Sequence, residues 1–219
     1  ILMALYHRDA RGGTGQVVDA SIVDACFAMM ESAPAEYDQC DVVRQPTGSV
    51  LPRIAPSNVF LSKDGTWVVI AANHDTLWKR LAALMGRPEL GTDPRFADHN
   101  ARGENEDELY AMIGDWAKEH TAAELDRMVN EAGVVCAPVY TMADIFADPH
   151  FRERGLLIDQ EDAEIGRITT IGPVPKLSAT PGSVRFGGKW EVGVDTADVL
   201  AEIGIDGDEI DGLRAGGII

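Results

Sequence analysis

The chain turns at residues 8–19, which read RDARGGTGQVVD and follow a short apolar run that ends at Tyr6. Three of the four residues 12–15 are glycine, and glycine tolerates the positive φ angles of tight turns. Apolar residues then recur at helical spacing from Ala20 to Glu31, which predicts a buried helix. The order is therefore the end of a helix, a glycine turn, a brief extended segment and a second helix. Because the first helix has no start signal, we expect the chain to be the later part of a longer protein.

The composition is that of an ordinary globular protein, with 45% hydrophobic and 25% charged residues among 219. The formal net charge of −17 argues against a nucleic-acid partner, which selects basic patches, and against an anionic membrane surface. No apolar run approaches the length of about 20 residues that crosses a membrane. We therefore predict neither nucleic acid nor membrane as a partner.

The three cysteines, Cys26, Cys40 and Cys136, are widely separated and form no C-x-x-C pair. An odd number of isolated cysteines favours free thiols in a reducing cytoplasm. Cys26 and Cys136 lie among apolar residues, which predicts small core residues and not nucleophiles. The five histidines show no metal-ligand spacing, so no metal site is predicted.

Residues 32–57 lose helical periodicity and are punctuated by proline and glycine, which predicts a long connection without regular structure. Such connections are usually functional or link two domains. Segment 47–53, which ends at Arg53, is a candidate for ligand contact. A plain crossover between domains is the alternative that the sequence favours.

Residues 57 to about 139 change character. Apolar runs on both sides of Lys63-Asp64-Gly65 predict a β-hairpin. Three amphipathic helices follow, the last of which opens at the capping box Thr121-Ala122-Ala123-Glu124, and a strand covers residues 134–139. This order predicts a compact α+β unit.

In the last part of the chain, after residue 139, capping residues and apolar runs predict further elements. These are a short helix after Thr141, strands near residues 156–158 and 167–171, and two helices capped by Asp195 and Asp206. Segment 191–211 holds eight acidic residues and no Lys or Arg. This pattern predicts a solvated helical surface, with an interaction tail as the alternative.

Two stretches are candidates for chemistry. Residues 12–15 match neither the dinucleotide-binding nor the Walker A pattern, so a tight turn is favoured over a phosphate cradle. Asn73-His74-Asp75 lies where a strand ends and a helix begins, a common place for ligand contact. Helix capping by Asp75 alone would also explain this triplet.

Five stretches that keep their order along nearly the whole chain carry a family resemblance. They are ILMAL (1–5) with Arg8 and TGQVVDAS (14–21); DGTW (64–67) leading to Trp78 and Leu81; DPRF (93–96) with Arg102 and Asn105; AGV (132–134) through APV (137–139) to DPH (148–150); and Asp195-Thr196 with Val199-Leu200, Ile203-Gly204 and Ile210. In these stretches the chain resembles the family III CoA-transferases, the CaiB/BaiF group that includes formyl-CoA:oxalate and carnitine CoA-transferases.

The resemblance implies an α/β fold in which a Rossmann-like large domain is interrupted by a small α+β domain, and in which two chains interlock as a homodimer. On that template residues 1–56 are the middle part of the large domain and a linker. Residues 57–142 are the small α+β domain, and residues 143–219 return to the large domain.

The resemblance also implies a mechanism. An aspartate carboxylate attacks an acyl-CoA thioester, the CoA thiolate converts the resulting mixed anhydride into an enzyme thioester, and CoA then passes to an acceptor carboxylate. In the family this aspartate lies just upstream of the segment matching residues 1–5, so no catalytic residue is predicted here and the chain alone is expected to be inactive. The expected partners are an acyl-CoA and a small carboxylic acid, with coenzyme A as a substrate and no other cofactor.

We predict that His74, Asn73 and Arg53 bind substrate. Formyl-CoA transferases carry a glycine run where residues 47–53 contain only Gly48, and α-methylacyl-CoA racemases place a glutamate where this chain has His74. Both differences count against those two assignments. Two alternatives stay open: a racemase-like enzyme, which would need a proton-transfer pair, and a non-catalytic fragment that acts as a scaffold half.

Overall fold

The computed structural model describes residues 1–162, 164–185, 187–188 and 191–219. They divide into two compact units, residues 1–138 and residues 139–219, and each unit is described by itself. The domain boundaries expected after residues 56 and 142 stay predictions.

The first unit contains helices and one small sheet, with a 3-10 turn at Pro88–Gly91. In chain order its elements are α1 (Leu2–Ala10), α2 (Ile22–Ala28), α3 (Ala33–Cys40), β1 (Ser57–Leu61), β2 (Trp67–Ala71), α4 (Asp75–Leu84), α5 (His99–Glu104), α6 (Glu106–Ala117), α7 (Ala122–Glu131) and β3 (Val135–Pro138). The predicted hairpin and final strand are confirmed, and so is the capping box that opens α7. Four helices, α4 to α7, lie between the hairpin and the final strand, where the sequence predicted three.

The sheet of the first unit is antiparallel in the order β1-β2-β3. Val59 lies opposite Val69, and Ile70 lies opposite Cys136. Val68 and Ile70 are buried while Val69 between them is exposed, as expected because successive side chains of a strand point to opposite faces. Cys136 is buried, so its predicted place in the core is confirmed.

The core lies between one face of this sheet and helices α4, α6 and α7. Apolar side chains three or four positions apart on each helix form the face that packs there. The main members of the cluster are Phe60, Val68, Ile70, Trp78, Leu81, Leu109, Ile113, Leu125 and Val129. Because all of them are almost fully buried, this cluster is the hydrophobic core of the unit.

The turn of the β1–β2 hairpin is tied to the start of α7. Gly65 adopts φ +81°, a conformation that glycine reaches without steric cost. The N–H of Lys63 donates to the carbonyl of His120 at 2.8 Å, and the N–H of Ala122 donates to Asp64 Oδ1 at 3.1 Å. These contacts fix the entry of α7 against the sheet.

The first helices correct two expectations. The predicted buried helix forms as α2, but none of its residues is buried and Cys26 is exposed. No residue of α1 or α3 is buried either. Periodic apolar residues indicate that a helix has a face suited to packing, but they do not say where the covering partner lies.

Helix α3 corrects the expectation that residues 32–57 lack regular structure, because Pro34 lies at the start of a helix and does not mark a loop. Proline is also favoured in the first turn of a helix, where its missing N–H costs nothing, and Pro34 lies there. The expected connection without regular structure therefore begins only after α3.

Arg44, just after α3, is paired with a carboxylate of that helix. It donates from Nε to Glu36 Oε2 at 2.7 Å, and this guanidinium lowers the pKa of Glu36 to about 2.

The second unit contains a β-hairpin and short helices. Its elements are α8 (Met142–Ala147), α9 (Pro149–Glu153), β4 (Leu157–Asp162), β5 (Gly166–Ile171), α10 (Thr196–Glu202) and α11 (Gly207–Ala215). Strands β4 and β5 pair antiparallel, and Asp206 caps α11 by accepting from the N–H of Glu209. The predicted cap at Asp195 is wrong, because its side chain makes no capping hydrogen bond to the helix that follows. The acidic residues of 191–211 are exposed or half-buried, which agrees with a solvated surface.

The capping box of α7 gives a direct stability test. Thr121 Oγ1 accepts from the N–H of Glu124, whose carboxylate accepts from the N–H of Thr121 at 2.8 Å. We expect Thr121→Ala to lower the free energy of unfolding by about 1 kcal/mol, because it removes the hydroxyl that caps the helix. Thr121→Ser keeps the hydroxyl and should retain most of that energy in urea unfolding. Equal losses in the two variants would contradict the capping role.

Candidate functional site

Arg102 is the polar centre of the first unit. Its side chain, on α5, is fully buried. Nε donates to the carbonyl of Ala55 at 3.0 Å, and Nη1 donates to the carbonyl of Phe96 at 3.2 Å. Nη2 donates to the carbonyl of Asn73 at 2.9 Å and to Asp75 Oδ1 at 2.7 Å. A buried guanidinium is tolerated when its donors are satisfied in this way.

These four bonds join three chain segments that are distant in sequence. Ala55 ends the long connection that contains Arg53, Phe96 precedes α5, and Asn73 and Asp75 belong to the turn between β2 and α4. Each acceptor is a fixed backbone or carboxylate oxygen, so the planar guanidinium sets their relative positions. Arg102 therefore determines the local geometry around the predicted binding residues.

Asp75 carries the charge that balances Arg102. Its carboxylate is about half exposed while the guanidinium is not. The hydrogen bond from Arg102 holds the pKa of Asp75 below its ordinary value, although desolvation opposes the shift. The carboxylate therefore stays ionised and serves the ion pair.

His74, and not Asp75, caps helix α4. Its backbone is extended, and its Nδ1 accepts from the N–H of Thr76 at 3.3 Å. The expectation that Asp75 is the cap is wrong, because Asp75 is the first residue of the helix and its carboxylate binds Arg102. An accepting Nδ1 places the ring hydrogen of a neutral imidazole on Nε2. His74 itself is exposed.

Arg53 has an unusual backbone conformation for a residue with a side chain. Its φ of +65° lies in the left-handed region, where a Cβ adds steric strain. Its N–H donates to Glu106 Oε2 at 2.9 Å, and its Nη2 lies 3.3 Å from Glu104 Oε1. The side chain is 68% exposed, so the guanidinium is held near the surface by one exposed carboxylate.

Gly103 lets the Arg53 backbone approach α5 closely. A Cβ at position 103 would lie 2.8 Å from the carbonyl oxygen of Arg53 and 2.9 Å from its Cα. Real Cβ atoms do not come this close to backbone atoms, so any larger residue would push Arg53 away. Neighbouring residues of α5 thus contact two of the predicted binding segments: Gly103 touches Arg53, and Arg102 binds Asn73.

The structure therefore places Asn73 and His74 on one turn and attaches both that turn and Arg53 to α5. Sequence reasoning singled out Arg53, Asn73 and His74 but gave Arg102 no role, although it lies within one of the family-like stretches. A signal was available in Gly103, next to Arg102, because a glycine inside a helix lowers the stability of that helix and suggests that another backbone segment approaches closely.

The described residues offer little else in the way of chemistry. Burial raises the pKa of the Cys136 thiol to about 11, so this thiol stays protonated and unreactive at neutral pH. Within the described ranges no group of three His, Cys, Asp or Glu side chains could hold a metal ion. In the same part of the chain, no helix has the length and apolar character required to cross a bilayer.

Comparison with known proteins gives the family. A sequence profile described as CoA-transferase family III matches residues 1–196. This chain belongs to CoA-transferase family III. The expected CaiB/BaiF membership is thereby confirmed, and it agrees with a crystal structure of a CaiB/BaiF family protein from Brucella suis, with a TM-score of 0.70 at 28% identity over 92% of this chain and 51% of that one.

Several curated relatives of this family III chain carry transferase names. A succinyl-CoA–D-citramalate CoA-transferase of Chloroflexus aurantiacus is 42% identical over all of this chain and 54% of its own length. The beta subunit of a succinyl-CoA–L-malate CoA-transferase from the same organism is 35% identical, again over 54% of its length. A succinyl-CoA:mesaconate CoA-transferase of Haloarcula hispanica is 36% identical over 82% of this chain and 44% of its own. The chain thus spans about half the length of these relatives.

Removing Arg102 should destabilise the family III chain strongly. We expect Arg102→Met to cost about 3–5 kcal/mol, because Asp75 loses its buried partner and three carbonyls lose their donor. The matched control is Arg127→Met, which breaks an exposed pair with Glu131 on α7 and should cost only about 0.3–0.5 kcal/mol. Both are measured by denaturant unfolding. Similar losses in the two variants would show that Arg102 does not organise the unit.

The ion pair between Asp75 and Arg102 should make stability depend on pH. The pKa of Asp75 is lowered in the folded chain, so its contribution is present above the unfolded value of about 3.9 and is lost as the pH falls through the lower folded value. We expect Asp75→Asn to be less stable than wild type at pH 7, with the difference shrinking below about pH 4. Asp107→Asn, which alters an exposed acid of α6, serves as the control. A difference that stays constant down to pH 2 would contradict this account.

Proposed function

We propose that this chain is part of a CoA-transferase that moves CoA from an acyl-CoA thioester to a small dicarboxylic acid. The observation that carries the proposal is the 42% identity, over the whole chain, to the relative named for succinyl-CoA and D-citramalate. The relatives named for L-malate and mesaconate also pair succinyl-CoA with a dicarboxylic acid. A dicarboxylic acceptor is therefore the substrate class that we assign.

The proposed chemistry passes through an enzyme-aspartyl intermediate, with the aspartate upstream of this chain. Its carboxylate attacks the donor thioester, which forms a mixed anhydride and releases the CoA thiolate. The thiolate then attacks the aspartyl carbonyl of that anhydride, which releases the donor acid and leaves an enzyme thioester. The acceptor carboxylate attacks that thioester and releases the thiolate, which finally attacks the acceptor acyl carbon and regenerates the aspartate. Dividing one difficult transfer into such steps lowers each barrier.

This chain would supply recognition. The Arg53 guanidinium, exposed and paired only with exposed Glu104 within the described contacts, can exchange that partner for a substrate carboxylate, which arginine binds in a bidentate manner. The backbone carbonyl of Asn73 is held by Arg102, which steadies the residue while its side-chain amide binds substrate. His74 would face the acyl group.

We further propose that the complete protein is cytoplasmic, with a Rossmann-like large domain and an interlocked homodimer. The apolar side chains of the first helices support the part of this proposal in which other protein covers this chain. Ile1, Leu2 and Met3 on and before α1, and Ile22 and Val23 on α2, are all at least 75% exposed. Exposed apolar side chains that are grouped on a helix often mark a place that another segment or chain covers. By itself, this chain would be inactive.

The test uses the complete translated protein that contains this chain, with the chain alone for comparison. Succinyl-CoA is mixed separately with D-citramalate, L-malate and mesaconate, and the acyl-CoA products are resolved by liquid chromatography and mass spectrometry. We expect acceptor-dependent thioester exchange by the complete protein and none by the chain alone. Hydrogen exchange at C2 of the acyl group without an acceptor would favour a racemase. A folded complete protein that neither binds nor transfers CoA would favour a scaffold.

Arg53 provides the sharpest variant. We expect Arg53→Ala to raise KM for the acceptor acid about tenfold, the loss of roughly one charge-assisted hydrogen bond, with little change in kcat. The control Arg127→Ala removes an exposed arginine of α7 that pairs with Glu131, and its KM should match wild type. An unchanged acceptor KM in Arg53→Ala would show that Arg53 does not bind the acceptor acid.

A further inference from the structure

The strained backbone of Arg53 is maintained by contacts from α5 and α6. A non-glycine residue in the left-handed region is sterically strained and persists only where the surrounding structure imposes it. Here two contacts impose it: the N–H of Arg53 donates to Glu106 Oε2 at 2.9 Å, and its backbone packs on buried Gly103. Ala55, two residues further on, is held by Arg102.

The roles of the nearby carboxylates differ in a way that favours ligand binding. Glu106 accepts the backbone N–H of Arg53 and so fixes the main chain. The guanidinium is left with Glu104 at 3.3 Å, in a pair whose two side chains are 68% and 65% exposed. Exposed ion pairs of this kind contribute little free energy. An incoming carboxylate can therefore displace Glu104 at small cost.

We propose that Gly103 and Glu106 are positioning residues that hold Arg53 where its guanidinium recognises the carboxylate of the acceptor acid. This inference rests on the proposed function and deepens it. A glycine at position 53 would adopt the same backbone without strain but would offer no guanidinium. The site keeps the arginine and relies on α5 and α6 to hold it, as expected where binding depends on a preorganised group.

The test measures acceptor KM and kcat in the complete protein, at saturating succinyl-CoA and with the dicarboxylic acid that wild type uses best. Glu106→Ala removes the acceptor of the Arg53 N–H, and Gly103→Ala places a methyl group against the Arg53 backbone. We expect each variant to raise the KM for the acceptor acid about tenfold, the effect of losing one charge-assisted contact in binding. The kcat of each variant should stay within about twofold of the wild-type kcat. Glu106→Gln retains an accepting oxygen and should restore a KM near that of wild type.

Matched controls separate positioning from stability. Glu108→Ala alters the same first turn of α6, but Glu108 pairs with Arg95 and not with Arg53. Gly114→Ala adds a methyl group to the same helix, where its nearest neighbour, a ring carbon of Phe60, would be 3.8 Å away. Both controls should keep the wild-type KM. Thermal unfolding of each variant shows whether it is folded at the assay temperature. If Gly103→Ala is not folded there, the inference is tested by Glu106→Ala.

A double-mutant cycle shows whether Glu106→Ala raises the acceptor KM by displacing Arg53. We expect Glu106→Ala to add nothing to KM in the Arg53→Ala background, because the group being positioned is already absent. Full additivity, or a KM for Glu106→Ala equal to that of Glu108→Ala, would overturn the inference while leaving the transferase intact. A wild-type protein that transfers CoA to none of the acids would instead refute the proposed function.

Discussion

The fully buried guanidinium of Arg102 is the constraint on which the arrangement of the first unit depends. Removing such a charge from water is unfavourable. Here the loss of hydration is offset because the guanidinium donates four hydrogen bonds to oxygens of three separate segments. Each bond requires its segment to lie at one place, so the end of the connection, the loop before α5 and the turn after β2 are fixed together. An apolar residue of similar size could fill the same volume but could not specify those three positions.

This constraint divides the unit into two kinds of structure. The sheet and helices α4, α6 and α7 form a core from apolar periodicity alone, and such a core would tolerate many sequences. The pair Arg102-Gly103 adds what the core cannot supply, since one residue binds the Asn73 turn and the next admits the Arg53 backbone. Loops with functional residues are usually held by a rigid scaffold, and here a helix of six residues contacts the two segments that carry the proposed binding residues.

Local signals in the sequence predicted much of the fold. The glycine turn at Gly65, the capping box at Thr121 and the apolar spacing of α4 each depend on residues within a few positions of one another, and all were found. Two of the failures are non-local. The exposure of Cys26 depends on what covers α2, and the cap at His74 depends on Arg102 drawing Asp75 away from that role.

For the same reason the sequence could suggest Arg53, Asn73 and His74 as separate candidates but could not join them. Arg102 is 49 residues beyond Arg53, and nothing in the neighbourhood of an arginine shows that it will be buried. Once placed, its pair with Asp75 also explains why that carboxylate is unsuited to proton transfer near neutral pH: the lowered pKa keeps it ionised, and one of its oxygens accepts a hydrogen bond from the guanidinium. The polar groups of this site therefore fit recognition and positioning, and a nucleophile supplied from elsewhere in the protein would complete the chemistry proposed for this family member.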